Sequence, residues 1–209
     1  MSARDKRKKE TVQRILDAAR RVFAEIGYEG ARVDHIAELA AVNKAMIYYH
    51  IGDKQALYSR VLHDVFGDMA GRLGGSIKQA GTPVDKIKAY VRGIGRTVVD
   101  NPCLPRIMMR EIAGGGRNLQ QIVAHDFVAI IGLIGDAMAQ GCAEGVFNEV
   151  DPFVLHMMII GGIEFHLASQ PVRSKHGSLM AATPHITQRA GLELISEVEK
   201  IVLNALVRK

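Results

Sequence analysis

Two short helices joined by a tight turn are predicted for residues 32–54, and this pattern constrains the fold of the chain more than any other. Apolar residues recur at helical spacing in the first run, stop at the turn, and resume four residues apart in the second. The positions are Val33, Ile36, Ala37 and Ala40, then Val42 and Asn43 at the turn, then Ile47 and Ile51. Asn43 suits the N-cap of the second helix, because its side-chain oxygen can accept a hydrogen bond from a free N–H group of the first turn.

The second of these helices carries an unusual outer face. When its apolar residues point inward, it presents to solvent five residues that we call the recognition surface: Lys44, Ala45, Tyr48, Tyr49 and His50. Exposed rings gain nothing unless a partner docks on them. A helix-turn-helix whose second helix enters the major groove of DNA accounts for this face, since its side chains suit phosphates, guanine edges and thymine methyl groups. The alternative is a helical hairpin buried in an all-α protein, with the tyrosines in the core.

The segment from Ile15 to about Tyr58 resembles the DNA-binding half of the TetR/AcrR family of bacterial repressors. The features that stand at the family's spacing are Ala18-Ala19, Phe23, Gly27-Tyr28, Ile36-Ala37, Val42, Tyr48 and Lys54. The resemblance implies a homodimer that binds double-stranded DNA, a phosphate contact by Lys54, and an apolar ligand pocket among the middle helices. Arg32 and Lys54 complete the predicted DNA-binding set.

Some positions depart from the family pattern. Ala31 and Arg32 replace the Thr or Ser that usually caps the second helix of the domain, which weakens that cap by ~1 kcal/mol. Ala41 stands where a turn glycine is usual, and Ile51 where an aromatic residue is common. None of these changes removes the recognition surface.

Positive charge is concentrated in the same part of the chain. Residues 1–60 carry 12 Lys and Arg against 8 Asp and Glu, whereas the other 149 residues carry 15 against 14. A basic arm at residues 4–9 precedes a helix predicted for residues 10–26, with Gly27 at its C-terminal end. The arm is interpreted either as a contact to phosphates and the minor groove or as a solvated run of charge.

The sequence pattern of the remaining residues predicts α-helices and no β-strand. One begins at Lys54, after the N-cap Asp53, and runs to about residue 73. Capping residues directly before prolines, at 82–83, 101–102 and 151–152, predict further helix starts. These helices lie near 83–99, 102–113, 118–143, 152–169 and 185–207, and residues 170–183 are predicted to be a mobile surface loop. The predicted fold is all-α with nine helices: a three-helix DNA-binding domain at 1–53, and a helical effector-binding and dimerisation domain at 54–209.

The last two predicted helices each carry more apolar surface than one partner helix can cover. A homodimer joined by a four-helix bundle would bury this surface. The predicted interface comprises Met157, Ile160, Gly161, Leu192, Ile195 and Val202. Two recognition helices ~34 Å apart would then match a palindromic operator. The alternative is that these helices cover only their own core.

A second unusual face lies among the middle helices. The predicted effector-binding residues are Met108, Met109, His125, Phe127, Ile131 and His156, and Arg110, Glu111, Ile130 and Glu164 share their face. Methionines adapt to irregular apolar ligands, and a few polar groups can orient one. The alternative is that the methionines are plain core, that Arg110 and Glu111 pair with other groups, and that the histidines are hydrogen-bonded within the protein. The histidine spacing has no metal-site signature, so no metal or cofactor is predicted.

Together these features predict a dimeric transcriptional repressor that a small-molecule effector releases from its operator. A constitutive or activating DNA-binding regulator without an effector is the first alternative. An enzyme is not expected, because paired carboxylates, a nucleophile elbow and metal spacing are all missing; a helical enzyme using Glu111, His125 or His156 is the remote alternative.

The chain is expected to be cytoplasmic, with no membrane partner. It contains only Cys103 and Cys142, no signal peptide, and no apolar run predicted to span a bilayer, since residues 153–167 are too short and carry charge. The two cysteines would form a redox switch only if folding brought them together.

Overall fold

The apolar patterns form ten α-helices within residues 3–178 and 191–208, the part of the chain that the structure, a computed structural model, describes. In chain order they are α1 (Ala3–Gly30), α2 (Val33–Leu39), α3 (Lys44–His50), α4 (Lys54–Gln79), α5 (Pro83–Asp100), α6 (Leu104–Ala113), α7 (Gln121–Ala143), α8 (Pro152–Ala168), α9 (Gln170–Lys175) and α10 (Leu192–Leu206). Those residues contain no β-strand, only an isolated bridge between Phe147 and Val207. The all-α prediction is confirmed.

Several helix boundaries differ from the prediction. The basic arm is helical, because α1 begins at Ala3, and α9 occupies part of the predicted loop. The described residues therefore hold ten helices rather than nine. Residues 179–183 of that loop and 185–190 of the last predicted helix lie outside the described residues. Asn101 does not cap α6: its side-chain amide donates to the carbonyl oxygen of Thr97 at 2.8 Å and ends α5, so that α6 begins at Leu104.

Four predicted N-caps are confirmed, because each side-chain oxygen accepts from a free backbone N–H group of the helix that follows. Asn43 accepts from the N–H of Ala45 at 2.9 Å, and Asp53 from that of Ala56 at 2.8 Å. Thr82 caps α5 and Asp151 caps α8 in the same way. Local chemistry therefore sets the starts of α3, α4, α5 and α8.

Two positions have a backbone conformation that favours glycine. Gly27 interrupts α1 with φ 76° and ψ 176°, a region that is essentially limited to glycine. Ala41, in the turn between α2 and α3, has φ 52° although it carries a Cβ. A left-handed conformation costs roughly 1 kcal/mol for such a residue. The departure from the family's turn glycine therefore strains this turn.

Replacing Ala41 with glycine is expected to raise the free energy of unfolding by up to about 0.5 kcal/mol. The strain is relieved, but the larger entropy of glycine in the unfolded chain offsets part of the gain. Urea denaturation measures the shift in midpoint at constant slope. Ala45→Gly is the matched control, because Ala45 is exposed within α3 and a glycine there costs about 1 kcal/mol. Equal destabilisation by both variants would contradict the prediction.

Contacts divide the chain into two compact units. The first comprises Met1–Gly67 and Arg106–His125, and the second comprises Asp68–Pro105 and Asp126–Lys209. The first unit is thus larger than the predicted DNA-binding domain, and the functional division after residue 53 stays a prediction. In the first unit α1, α2 and α3 pack on one another, and in the second α5, α8 and α10 do so.

One helix, α7, is long and apolar enough to cross a membrane by length and composition alone, with a mean hydropathy of 1.7. Among the described residues α7 is the one helix that meets this test, and α8, which contains residues 153–167, is too short to meet it, as the sequence predicts. Core helices share these properties; 28% of the most apolar stretch of α7 is buried, and Ile130, Ile134 and Met138 of α7 belong to the core. Length and hydropathy therefore do not assign α7 to a membrane.

Candidate nucleic-acid interface

The helix-turn-helix is built from α2 and α3, and its core follows the apolar pattern. Ile36 and Ile47 are fully buried, and Ala37 is nearly so. The turn is closed by a hydrogen bond from the N–H of Val42 to the carbonyl oxygen of Ala37 at 3.0 Å. Both short helices pack against α1. The outer face of α3 is therefore held on a rigid three-helix base.

The recognition surface faces solvent. Tyr48 is 49% and Tyr49 76% exposed, and Ala45 and Met46 are exposed beside them. The alternative that places these tyrosines in a buried core is wrong. His50 is half-buried with its ring edge-on to that of Tyr49, and its Nδ1 is buried with no hydrogen-bond partner among the described residues. The surface thus offers two large rings for docking and one partly buried imidazole.

Lys44 is paired with a residue that sequence inspection did not identify. Its ammonium contacts the carboxylate of Asp34 at 2.9 Å, and this contact lowers the pKa of Asp34. The side chains of Lys44 and Asp34 are 43% and 70% exposed, so the pair contributes little to stability. Arg32 is exposed at the start of α2 and its side chain makes no capping hydrogen bond there.

Lys54 is occupied within the protein. Its ammonium donates to the carbonyl oxygens of Tyr28, Ala31 and Glu29, at 2.8, 3.1 and 3.4 Å. It also lies 4.4 Å from the centre of the Tyr28 ring, within the range of a cation–π interaction. These carbonyls lie at the end of α1, where acceptors lack helical partners. In this structure Lys54 therefore joins α4 to the end of α1; its predicted phosphate contact stays a prediction.

An aromatic cluster of Phe23, Tyr28 and Tyr58 supports this junction. Tyr58 packs edge-on against both other rings, with ring centroids 4.7 Å from Phe23 and 5.1 Å from Tyr28. Its hydroxyl donates to the buried carboxylate of Glu111 at 2.8 Å. Burial and this neighbouring carboxylate raise the pKa of Tyr58, so that the phenol remains a donor.

Glu111 and Arg110 serve the structure of the first unit. Glu111 also accepts from the side-chain amide of Asn118 at 3.0 Å, and Arg110 donates to the carbonyl oxygen of Glu25 at 2.8 Å. This outcome favours the alternative in which the two residues pair with other groups of the chain. Tyr58 and Glu111 are 53 residues apart, so no local pattern could have joined them.

The basic arm lies beside the recognition helix. A groove of about 730 Å³ in the first unit is lined by Lys8 and Lys9 of α1, by His50, and by Arg60 of α4. Arg60 is ion-paired with Asp64 at 2.6 Å. The lysines thus lie on the same groove as His50, as a flanking phosphate contact requires.

The predicted effector-binding residues are not gathered in one unit. Met108, Met109 and His125 belong to the first unit, and Phe127, Ile131 and His156 to the second. His125 is exposed, whereas Met108 is buried. Their role in binding stays a prediction. The described residues contain no group of three or more His, Cys, Asp or Glu that could hold a metal ion.

His156 has a partner in the core of the second unit. Its Nδ1 lies 2.7 Å from the hydroxyl of Tyr90, and burial lowers the pKa of His156. In a neutral imidazole one ring nitrogen donates and the other accepts, so the hydrogen bond between Nδ1 and the Tyr90 hydroxyl fixes the complementary role for Nε2. This pairing favours the alternative of a hydrogen-bonded core histidine.

The predicted dimer residues fall into two groups. Met157 and Leu192 are 45% and 69% exposed, and a Cβ on Gly161 would meet no atom within 4 Å. Ile195 and Val202, however, are buried within the protomer, and Ile195 packs against Gly95 of α5. The structure therefore corrects the sequence-based placement of these two residues, because α5 covers the face of α10 that carries Ile195. Ile160 is half-buried.

Comparison with known proteins places this geometry in a family. The profile of bacterial regulatory proteins, tetR family, matches residues 15–61, and that of the tetracyclin repressor-like C-terminal domain matches residues 83–190. The HTH-type transcriptional regulator RutR of Escherichia coli K12 is 30% identical over 145 residues, which are 69% of this chain and 68% of that protein.

Other relatives match over a greater length. The fatty acid metabolism regulator protein of Bacillus subtilis is 21% identical over 184 residues, covering 88% of this chain and 95% of that protein. The crystal structure of FadR from Bacillus subtilis in complex with stearoyl-CoA has a TM-score of 0.71 at 19% identity, covering 92% of this chain and 98% of that one. FadR from Bacillus halodurans has a TM-score of 0.72 at 20% identity, covering 92% and 94%.

Proposed function

The chain belongs to the tetR family of bacterial regulatory proteins, and from that membership we propose that it is a cytoplasmic repressor. It binds a palindromic operator as a homodimer, and a small-molecule effector releases it from that operator. The relatives named above are transcriptional regulators, not enzymes. The observation that carries the proposal is the exposure of Tyr48 and Tyr49 on the outer face of α3. A protein gains nothing from such rings in water, but an α-helix in the major groove uses them.

Charge supports the proposed contact with DNA. Lys44 stands at the start of α3 and Arg32 at the start of α2. The groove that contains His50 is lined by three basic residues, Lys8, Lys9 and Arg60, and by two acidic ones, Asp5 and Asp64. Phosphate contacts from such residues set orientation and the salt dependence of binding, whereas contacts to base edges set specificity. We therefore assign base recognition to α3 and positioning to the lysines of α1.

An exposed apolar stripe on α8 supports the proposed dimer. Val154, Met158 and Phe165 are 50%, 67% and 67% exposed, and they recur at helical spacing around Gly161 and Gly162. A Cβ on either glycine would meet only open space within the protomer. An isologous contact between two copies of this stripe would bury all three side chains and let the helices approach at the glycines.

Replacing Phe165 with alanine is expected to weaken the dimer by about 2 kcal/mol, or ~30-fold in Kd, because each dimer loses the ring twice. Sedimentation equilibrium measures the change. Val172→Ala is the matched control, since Val172 of α9 is 60% exposed but lies off the stripe. An unchanged dimer for Phe165→Ala would place the interface elsewhere.

We infer that an effector binds in the helical part of the chain that follows residue 53. The Bacillus subtilis FadR structure, which has the same fold, was solved with stearoyl-CoA, and this supports a ligand role for the fold. An effector can act only if it binds the conformer that cannot bind the operator more tightly than the conformer that can. A ~100-fold loss of operator affinity requires that the free energies of effector binding to the two conformers differ by about 2.7 kcal/mol. A constitutive or activating regulator without an effector is the alternative.

Selection of bound genomic DNA fragments by the purified protein, followed by sequencing, tests the proposal. Recovery of a palindromic sequence would support it, and failure to enrich any sequence would contradict it. Release from that sequence by at least one compound of a small-molecule panel would separate the effector-responsive repressor from the constitutive alternative.

A further inference from the structure

A small cavity lies at the C-terminal end of α3, within the first unit. It has a volume of about 270 Å³, and its walls are the end of α3, the first half of α4 and the start of α7. We call it the His50 cavity. Apart from three apolar residues, its lining consists of His50, Ser59, Arg60, His63 and Gln120. It is distinct from the groove that the lysines of α1 line, although His50 and Arg60 belong to the walls of both.

Two side-chain atoms in the residues that line this cavity lack hydrogen-bond partners. Ser59 is only 6% exposed, and neither its Oγ nor the Nδ1 of His50 has a partner among the described residues. In that part of the chain the one other side-chain atom that is sealed and unpartnered is Nε of Arg20, which does not line the cavity. A buried donor or acceptor is costly to leave unpaired, so two of them at one cavity indicate that a bound group supplies their partner.

The polar groups of the cavity suit an anion. The hydroxyl of Ser59, the imidazole of His50 and the guanidinium of Arg60 can each donate a hydrogen bond. Arg60 contacts Asp64 through Nε at 2.6 Å, but Asp64 does not line this cavity. None of the described residues that do line it is acidic. Its charge and its donors therefore favour an oxyanion over a cation.

The start of α7 adds positive potential at the same place. Gln120 and Ile122 line the cavity, and the carbonyl oxygen of Gln120 accepts from the N–H groups of Val123 and Ala124. The first N–H groups of a helix have no partner within it, and the helix dipole places partial positive charge on them. No acidic residue occupies the first turn of this 23-residue helix to neutralise that charge. A helix start of this kind suits a phosphate group.

We propose that the His50 cavity binds the phosphate group of a small molecule and that the Ser59 hydroxyl is its buried anchor. The volume corresponds to roughly nine water molecules at ~30 Å³ each, so the phosphate group leaves room for a few further atoms. Oγ and Nδ1 are sealed in this structure, so the Ser59 hydroxyl and the His50 ring turn toward the ligand as it binds. A phosphate of the DNA backbone has the same chemistry and is the other source to test. Binding of a free phosphate does not rest on the proposed function.

Nuclear magnetic resonance of the protein with isotope-labelled histidine tests the proposal. The probes are inorganic phosphate and glycerol phosphate, compared with glycerol and with sodium chloride at equal ionic strength, and the His50 signal is identified by its loss in His50→Asn. We expect at least one phosphate to shift this signal to saturation, with a roughly tenfold larger dissociation constant for Ser59→Ala, because a hydrogen bond to a charged group is lost. Ser59→Ala removes an unpartnered hydroxyl and introduces the best helix former, so it should fold at least as stably as the parent.

Ser76→Ala is the matched control, because Ser76 is an exposed serine of the same helix, and it should bind phosphate like the parent. The proposal would be overturned by any of three results: no saturable shift with either phosphate, equal affinity of Ser59→Ala and the parent, or the same shift with glycerol or chloride.

Operator affinity measured without free phosphate distinguishes the two sources of the phosphate group. If a small molecule carries it, Ser59→Ala keeps the parental operator affinity, and this result supports the proposal. If Ser59→Ala binds the operator more weakly while Ser76→Ala does not, a DNA phosphate occupies the cavity and the small-molecule source is overturned. A parent protein that binds phosphate but no operator would overturn the proposed function alone.

Discussion

The double variant Tyr48→Ala, Tyr49→Ala is expected to bind the operator ~100-fold more weakly than the parent protein, with an unchanged fold. Both rings are exposed, so their removal leaves no cavity and changes the free energy of unfolding by less than about 0.5 kcal/mol. Large aromatic anchors contribute roughly 1–2 kcal/mol each at the centre of an interface, and two of them give the stated loss. Fluorescence anisotropy with labelled operator measures the affinity.

Ile112→Ala provides the control, because Ile112 is 64% exposed in the same unit but belongs to α6. Its operator affinity should equal that of the parent. Binding to non-specific DNA should survive in the double variant, since the basic residues of α1 remain and phosphate contacts carry most of that affinity. A double variant with parental operator affinity would show that the recognition surface does not contact DNA.

The parts of this fold that the sequence predicts are those that depend on neighbours along the chain. The caps at Asn43, Thr82 and Asp151 follow from the reach of one side chain to the next turn. The buried and exposed sides of α3 follow from the helical period, which places Ile47 inward and Tyr48 and Tyr49 outward.

The parts that the sequence does not predict depend on distant pairs. Lys44 is held by Asp34 of the preceding helix, and Tyr58 by Glu111 at a separation of 53 residues. Ile195 has an apolar pattern that fits either a dimer interface or a core, and only the position of α5 decides for the core. The predicted effector-binding residues are divided between two units for the same reason. The helical period predicts which residues share one face of a helix, but it does not predict which other helix packs against that face.

Lys54→Met is expected to lower the free energy of unfolding by about 3 kcal/mol, the second large effect. The substitution keeps an unbranched apolar side chain that is one heavy atom shorter. It removes the donor to three carbonyl oxygens at the end of α1 and the cation over the Tyr28 ring. Hydrogen bonds from a charged donor contribute roughly 1.5–3 kcal/mol each when buried, and less here because the site is partly exposed. Urea denaturation measures the loss.

The salt dependence of operator binding then distinguishes two roles for Lys54. If Lys54 only positions α4 against α1, Lys54→Met weakens operator binding equally at every salt concentration. If Lys54 contacts a DNA phosphate, the substitution lowers the magnitude of the slope of log K for operator binding against log salt concentration by about 0.9. We expect the first result, because the ammonium is already occupied by carbonyls. Lys44→Met supplies the contrast: its exposed pair with Asp34 contributes little to stability, so unfolding should be unchanged while the slope falls. A lower salt slope for Lys54→Met would contradict this expectation and would show that Lys54 contacts a DNA phosphate, as the family resemblance implies.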